Sequence, residues 1–381
     1  MPLPPLRNAY PKSTWKDSLA VGVIATLCVG LYCCDWGPEY PQEAGSKERA
    51  RVLSVDNRDL MQLGLLTQGS QNLKVEILSG EYRGEVFAAT NQLRAQMELD
   101  KIFVPGDTIL VGVYEGAEPG KSTLNAQDYY RLGWIWLLFS IFAILLILFG
   151  GITGFKALLS FLFSCMILWK GLVPLALQGW NPMFLALGIV FLLSAVIIFL
   201  VAGFNRKGVT AFSGTILGVS ASCLMAWIFT HLFQVNGAVM PFSQALLYSG
   251  FESLNLVEIF IGGIFIGSSG AVMDLGMDVA AGMTEVAAEN RQISRGNLIL
   301  AGWRIGQSVV GTMTTTLLLA YSGGYLTLMM AFTAQGITPT DFLNSPYVAS
   351  EVVKTLVGSF GLVLVAPFTA LAGGFFLLPS R

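Results

Sequence analysis

The chain has 381 residues, 54% of them hydrophobic and only 12% charged, where a soluble domain carries roughly 25% charged positions. That composition excludes an ordinary soluble protein and points to a membrane. A net charge of −2 likewise excludes the basic surface that nucleic acid requires.

A bilayer crossing needs about 20 mostly apolar residues. In chain order such segments lie at 19–34, 131–152, 155–175, 183–203, 208–233, 256–280, 297–320 and 351–378. The expected fold is therefore an α-helical polytopic membrane protein with about eight transmembrane helices. The apolar stretch 325–334, after Ser322, Gly323 and Gly324, is too short to cross and suits a re-entrant or interfacial piece. Three parts follow: a cytoplasmic N-terminus with a signal-anchor helix at 1–34, an extracytoplasmic β domain with its linkers at 35–128, and a seven-helix membrane domain at 129–381.

Charge placement gives the orientation. With the N-terminus inside, Arg7, Lys12, Lys16, Lys156, Arg206, Lys207, Arg291, Arg295 and Arg381 all fall on the cytoplasmic side, so both termini are expected there. No small-residue cleavage site follows Cys33 and Cys34, which is why the first helix reads as an uncleaved anchor. The cysteines Cys28, Cys33, Cys34, Cys165 and Cys223 sit in or beside the spans without a C-x-x-C spacing, and suggest neither a disulfide framework nor a zinc site.

Residues 35–128 alternate as strands do, at 51–55, 73–77, 85–87 and 108–113, with a hairpin at 79–84 and a Pro105-Gly106-Asp107 turn. Four or five short strands predict a small all-β domain, an OB-like barrel or a sandwich. No aromatic-plus-basic stripe marks it as a ligand binder, so a structural or partner-docking role is favoured. Residues 34–48 and 116–128 read as linkers. Gly120-Lys121-Ser122 is no phosphate loop: the first glycine of that motif falls five residues before Gly120, where the chain has Glu115, and no helix start follows a buried strand.

The chemistry concentrates in the stretch MDLGMDVAAGMTEVAAENRQISRG, 273–296. At about 100° per residue, Gly263, Gly267, Gly270, Asp274, Asp278, Ala281, Glu285 and Glu289 share one helical face, small in its outer half and acidic in its inner half. Glycines at such spacing admit another helix, and Asp274 and Asp278 lie one turn apart at membrane depth. A buried carboxylate protonates, pairs with a cation or binds one. The pair therefore suits a proton carrier or half of an oxygen-ligand cation site, the metal left unspecified. On the following helix Arg304, Ser308, Gly311 and Thr315 share a face, with Gln307 beside them and Thr312 close by. Arg304, about 9 Å deep at 1.5 Å per residue, is expected to pair with one of the aspartates. The plainer alternative is that acids and arginine only clamp two helices. Thr312, Thr314, Thr315 and Thr316 either satisfy backbone carbonyls or line a polar path.

Other polar residues carry less. Glu252 and Glu258 mark a solvated outer mouth. Glu351 and Lys354 are spaced to pair or to snorkel. His231, the only histidine, makes neither a metal site nor a triad.

The runs SSGAVMDLGMDVAAGMTEVAAEN and GWRIGQSVVGTMTTTLLLAYSGGYL, with GSQNLKVEILSGEYRGE and VPGDTILV before them, resemble the YibE/F family of bacterial polytopic membrane proteins. The resemblance implies a transporter-like protein of the bacterial cytoplasmic membrane. A weaker similarity to SecF-type and resistance-nodulation-division permeases implies that Asp274 or Asp278 carries a proton tuned by Arg304, Thr312 and Thr315. The resulting expectation is a permease for an ion or small solute, with no catalytic cofactor, in contact with the lipid bilayer and open to homo-oligomerisation. The rival is a membrane scaffold whose β domain docks a partner. An aspartyl hydrolase is disfavoured, since both aspartates lie on one helix.

Overall fold

The computed structural model describes residues 15–33, 46–114, 118 and 122–378. They fall into two compact units, one within 39–145 and the other combining 1–38 with 146–381.

The β unit comprises β1 (Ser46–Asp56), β2 (Leu60–Leu63), β3 (Leu66–Ile77), β4 (Val86–Arg94), β5 (Thr108–Val113) and β6 (Thr123–Tyr129). Their order is β1-β5-β6-β4-β3-β2, and β1 also pairs with β3, so five strands close on themselves while β2 hangs as a hairpin on β3. Only β4 and β6 run parallel. The expected barrel, not the sandwich, is what forms. Alternation explains its interior: Val52 sits opposite Val75 and Ala50 opposite Ile77, each pair facing in. Phe87, Ile109, Val111 and Leu124 complete the packing.

Two polar side chains are buried in this barrel, and both are satisfied. Gln71 on β3 donates to the Phe103 carbonyl (2.9 Å) and accepts from the Phe103 amide (3.0 Å) and from Asn91 Nδ2 (3.1 Å). Asn91 on β4 also donates to the Lys101 carbonyl (2.6 Å). Together they hold the 95–107 loop so that Phe103 is fully buried, edge-on to Tyr129 at 5.1 Å. At the end of β6, burial pushes the Asp128 carboxyl up, but hydrogen bonds from Lys101 and Arg131 outweigh it and hold the carboxyl below its ordinary range.

One sequence expectation fails here. The segment 116–128 was expected to be a linker, yet 123–129 is the closing strand β6. Its residues, Thr-Leu-Asn-Ala-Gln-Asp-Tyr, place only Leu124 and Ala126 fully inside, too faint an alternation to stand out. The other expected linker, 34–48, lies outside the described residues up to 45, and 46–48 already belong to β1.

The helices are α1 (Trp15–Cys33), α2 (Leu132–Met166), α3 (Val173–Leu177), α4 (Pro182–Ala202), α5 (Arg206–Leu232), α6 (Ser243–Tyr248), α7 (Leu256–Glu289), α8 (Arg295–Gly324), α9 (Leu326–Ala334), α10 (Pro339–Asn344) and α11 (Pro346–Phe376). Among the described residues five stretches are long and apolar enough to cross a bilayer: Leu132–Leu177, α4, α5, α7 and α11. α8 and α9, bent by 60° between them, make a sixth if the pair is one span. The apolar part of α1, Ala20–Cys33, is shorter.

The two crossings expected at 131–152 and 155–175 form one run broken at Gly151, whose φ of 54° and ψ of −129° only glycine adopts readily. The chain turns so tightly there that a Cβ on Gly154 would strike the Leu146 carbonyl. Further on, Pro174 has no amide hydrogen and crowds the carbonyl four residues back. The helix before it widens into a π stretch at Ile167–Leu172, with the Val173 amide bonded to Leu168.

α11 is the hub, packed against α5, α7 and α8. Small residues permit the approach: a Cβ on Gly214 would collide with the Thr369 hydroxyl and Cα, one on Gly218 would come within 2.9 Å of Val365, and one on Gly306 within 2.5 Å of Ala366. Ser222 adds a hydrogen bond to the Val357 carbonyl, 3.2 Å. Phe260, Phe265, Val272, Leu275, Leu362 and Val365 fill the centre.

Candidate functional site

α7 begins at a well-formed cap, Asn255 accepting from the Val257 and Glu258 amides, and runs 34 residues to Glu289. Its buried face carries Phe260, Ile264, Val272, Leu275, Val279 and Met283 against the hub. The opposite face is the stripe the sequence singled out. Gly263, Gly267, Gly270, Asp274, Asp278, Glu285 and Glu289 are all exposed, and Ala281 is half-buried.

α8 starts at the Ser294 cap and runs antiparallel to α7. The register follows from close approaches: Gly282 to Ile305 (2.8 Å from its would-be Cβ), Gly306 to Val279 (3.8 Å) and Gly267 to the Tyr321 hydroxyl (2.8 Å). Asp278 is thus level with Ser308 and Asp274 with Thr312. Gly267 belongs to the stripe, so the stripe runs along the α8 side of α7. On α8, Arg304, Gln307, Ser308, Gly311, Thr312 and Thr315 are exposed as well. The structure brings the sequence-predicted residues onto one continuous outward surface of the helical unit.

Two expectations are corrected. First, Arg304 makes no ion pair with Asp274 or Asp278 among the described residues. The register explains this: Arg304 is level with Gly282, a full turn beyond Asp278. The intramolecular clamp is absent. Second, the predicted packing glycines Gly263, Gly270 and Gly311 meet nothing in the chain, where a Cβ on any of them would enter open space. Within the chain only Gly267 touches a neighbour, Tyr321. The close helix contacts use Gly214, Gly218, Gly276, Gly302, Gly306 and Gly361 instead, on the faces toward α11 and its neighbours.

The threonine question resolves toward the backbone. Ser308 donates to the Ile305 carbonyl (2.7 Å), Thr312 to Val309 (2.9 Å), Thr315 to Gly311 (3.0 Å) and Thr316 to Thr312 (2.9 Å). Their hydrogens are spent on their own helix, leaving oxygen lone pairs facing out. Carboxylates also only accept. Between the levels of Asp278 and Gly270, the polar side chains of this surface present acceptors.

A second polar group lies at the start of α11. Lys354 Nζ contacts Glu351 Oε1 at 2.8 Å, the pairing the three-residue spacing predicted, and both side chains are mostly buried. Lys354 also lies 5.4 Å from the centre of the Phe260 ring. The second carboxylate oxygen of Glu351 and the Tyr321 hydroxyl are buried without a partner. Tyr321 had no sequence signal, since a lone tyrosine near a helix end resembles any interface aromatic. No group of three or more His, Cys, Asp or Glu side chains suited to a metal ion occurs among the described residues.

These features define a class: a multi-span helical protein carrying a small β barrel, with a polar face set into otherwise apolar helices, which fits a membrane protein. The sequence matches the YibE/F-like protein family over residues 138–378 and the YibE/F family N-terminal domain over residues 46–129. The chain belongs to the YibE/F family, and the N-terminal domain of that family is the barrel. The weaker likeness to SecF-type and resistance-nodulation-division permeases finds no support in these matches. No curated protein matches the chain significantly. No solved structure does either.

Proposed function

We propose that the protein is an integral membrane permease that moves a cation, proton-coupled through Asp274 and Asp278. One observation carries the reading: two aspartates in the middle of a 34-residue apolar helix stand exposed on the surface of the chain, with no counter-ion among the described residues. A carboxylate facing hydrocarbon is costly, so such a face wants water or protein over it. The acceptor-only surface beside it, Ser308, Thr312 and Thr315, suits a proton or another cation better than an anion. Arg304 and Gln307 lie nearer the α8 N-terminus, and Glu285, near the α7 C-terminus, extends the stripe toward that same end. The open glycines Gly263, Gly270 and Gly311 leave room for a second copy to close the path.

In this reading the helices cross about eight times. A run of 46 residues at about 1.5 Å each is more than twice a hydrocarbon thickness of roughly 30 Å. Leu132–Leu177 then crosses twice about Gly151, and α4, α5, α7, α11, the α8–α9 pair and α1 supply the others. Both termini are cytoplasmic and the barrel is extracytoplasmic, in the bacterial cytoplasmic membrane. The protein is not an enzyme.

The test is flux. Purified protein in liposomes loaded with a pH-sensitive dye is given pH and cation gradients, beside Asp274→Asn and Asp278→Asn. Flux abolished by either substitution supports the permease. The same exposed face favours one rival, a scaffold whose polar surface is covered by a partner protein. Silence of the wild type under every gradient, with a stoichiometric co-purifying protein, would establish that rival.

A further inference from the structure

Where α4, α5 and α7 meet, the helical unit has a cavity of about 510 Å³, apart from the α7–α8 face. That is the size of a small-molecule site, not of a bare ion. We infer that this cavity binds an organic ammonium ion, with Glu258 as its counter-ion and Trp227 as its aromatic wall.

The charge pattern comes first. Among the described residues Glu258 is the only formally charged one lining the cavity, and no lysine or arginine does. It is half-buried, and among the described residues its carboxylate has no hydrogen-bond or ion-pair partner. Anions are not invited by the helix starts that border the cavity. Asn181 already caps α4 by accepting from the Met183 and Phe184 amides, and Asn255 caps α7 in the same way. The last turn of the 27-residue α5 also borders the cavity, and a helix C-terminus carries partial negative charge that favours a cation.

The wall chemistry agrees. Trp227 is half exposed, and a tryptophan face is the best aromatic partner for an ammonium. Its other neighbour is His231, with ring centres 5.1 Å apart. His231 Nδ1 lies 2.7 Å from the Trp227 carbonyl, which can only accept, so Nδ1 carries the hydrogen. In the neutral ring Nε2 is then an acceptor for a ligand N–H or O–H donor, the choline hydroxyl among them. Thr230 is fully buried in the same wall, and its hydroxyl has no partner. An acid, an imidazole acceptor, a spare hydroxyl and an indole face around apolar side chains describe an amine site. The amine belongs either to a free solute or to a lipid headgroup, since both carry the same group.

The assignment concerns binding and does not need transport. Full-length protein in detergent is titrated calorimetrically with choline and with its uncharged isostere 3,3-dimethylbutan-1-ol. Saturable choline binding is expected, with the isostere weaker by about tenfold or more, and Glu258→Gln and Trp227→Leu each weakening choline by about tenfold. The isostere comparison uses wild type alone, so it stands even if a variant folds poorly. Repeating the titration in nanodiscs with and without phosphatidylethanolamine separates the sources. Competition by that lipid assigns the site to headgroups, and its absence assigns it to a free amine. No choline binding, equal binding of choline and isostere, or an unchanged affinity in well-folded Glu258→Gln would overturn the inference.

Discussion

Replacing Gln71 by leucine removes one side chain and strands several groups. The Phe103 amide and carbonyl and the Asn91 side-chain amide all lose a partner inside the barrel. Asn91 keeps its bond to the Lys101 carbonyl, so the two Phe103 backbone groups bear most of the loss. A buried polar group left unsatisfied costs about 1–3 kcal/mol, giving roughly 2–6 kcal/mol for the two. The added apolar contact of leucine offsets about 1.5 kcal/mol, leaving roughly 0.5–4.5 kcal/mol, and a net loss of about 2 kcal/mol is the central expectation. At 1.4 kcal/mol per factor of ten, that is roughly a thirtyfold rise in local opening. Hydrogen exchange on the full-length protein, read by mass spectrometry, should show it in peptides covering 98–107, with β1 and β5 changing less. Exchange in that loop within about twofold of wild type would refute the claim that Gln71 is what holds it.

Asp274→Asn and Asp278→Asn should abolish flux in liposomes while leaving detergent melting temperatures within a few degrees of wild type, because neither side chain has a partner among the described residues to lose. Gly306→Leu should prevent folding or drop yield severely, since its side chain would enter Ala366, whereas Gly311→Leu opens into free space and should leave the single chain folded. Size-exclusion chromatography with light scattering would then report whether Gly311→Leu disrupts a dimer. The Asp128 carboxyl is held low in the folded state, so its contribution is present above the ordinary aspartate value of about 3.9 and lost as pH falls through the folded value. Barrel unfolding followed from pH 6 to pH 2 should steepen below about pH 4, and Asp128→Asn should flatten that limb. Equal slopes would sink the assignment.

Much of this architecture was legible because its signals are repetitive. Apolar runs located every long helix to within a few residues apart from the ends of α7 and α11, and strict alternation located β1, β3 and β5. The limits were equally physical. β6 is mostly polar, and only its pairing with β4 and β5 makes it a strand. The stripe on α7 was correctly gathered on one face, but helical spacing alone does not say what that face meets. It was expected to meet α8 and Arg304, whereas the larger small-residue surface of α7, α5 and α8 toward α11 took the interior. Glu258 read as a surface acid because nothing local to it announces Trp227 and His231, which come from another helix.

The order of strands in the barrel also sets a timetable. β1 pairs with β3 and β5, and the barrel has an open edge on β4 and β5 until β6 arrives. β6 ends at Tyr129, three residues before α2 begins. During synthesis, therefore, the sheet keeps an unpaired edge until the chain has been made almost to its first long apolar helix. The parallel β4–β6 contact, made across an intervening strand, is the slow kind of pairing. A polar, weakly strand-like β6 is a sensible last piece for such an edge, because it adds little stickiness of its own while it waits to be placed.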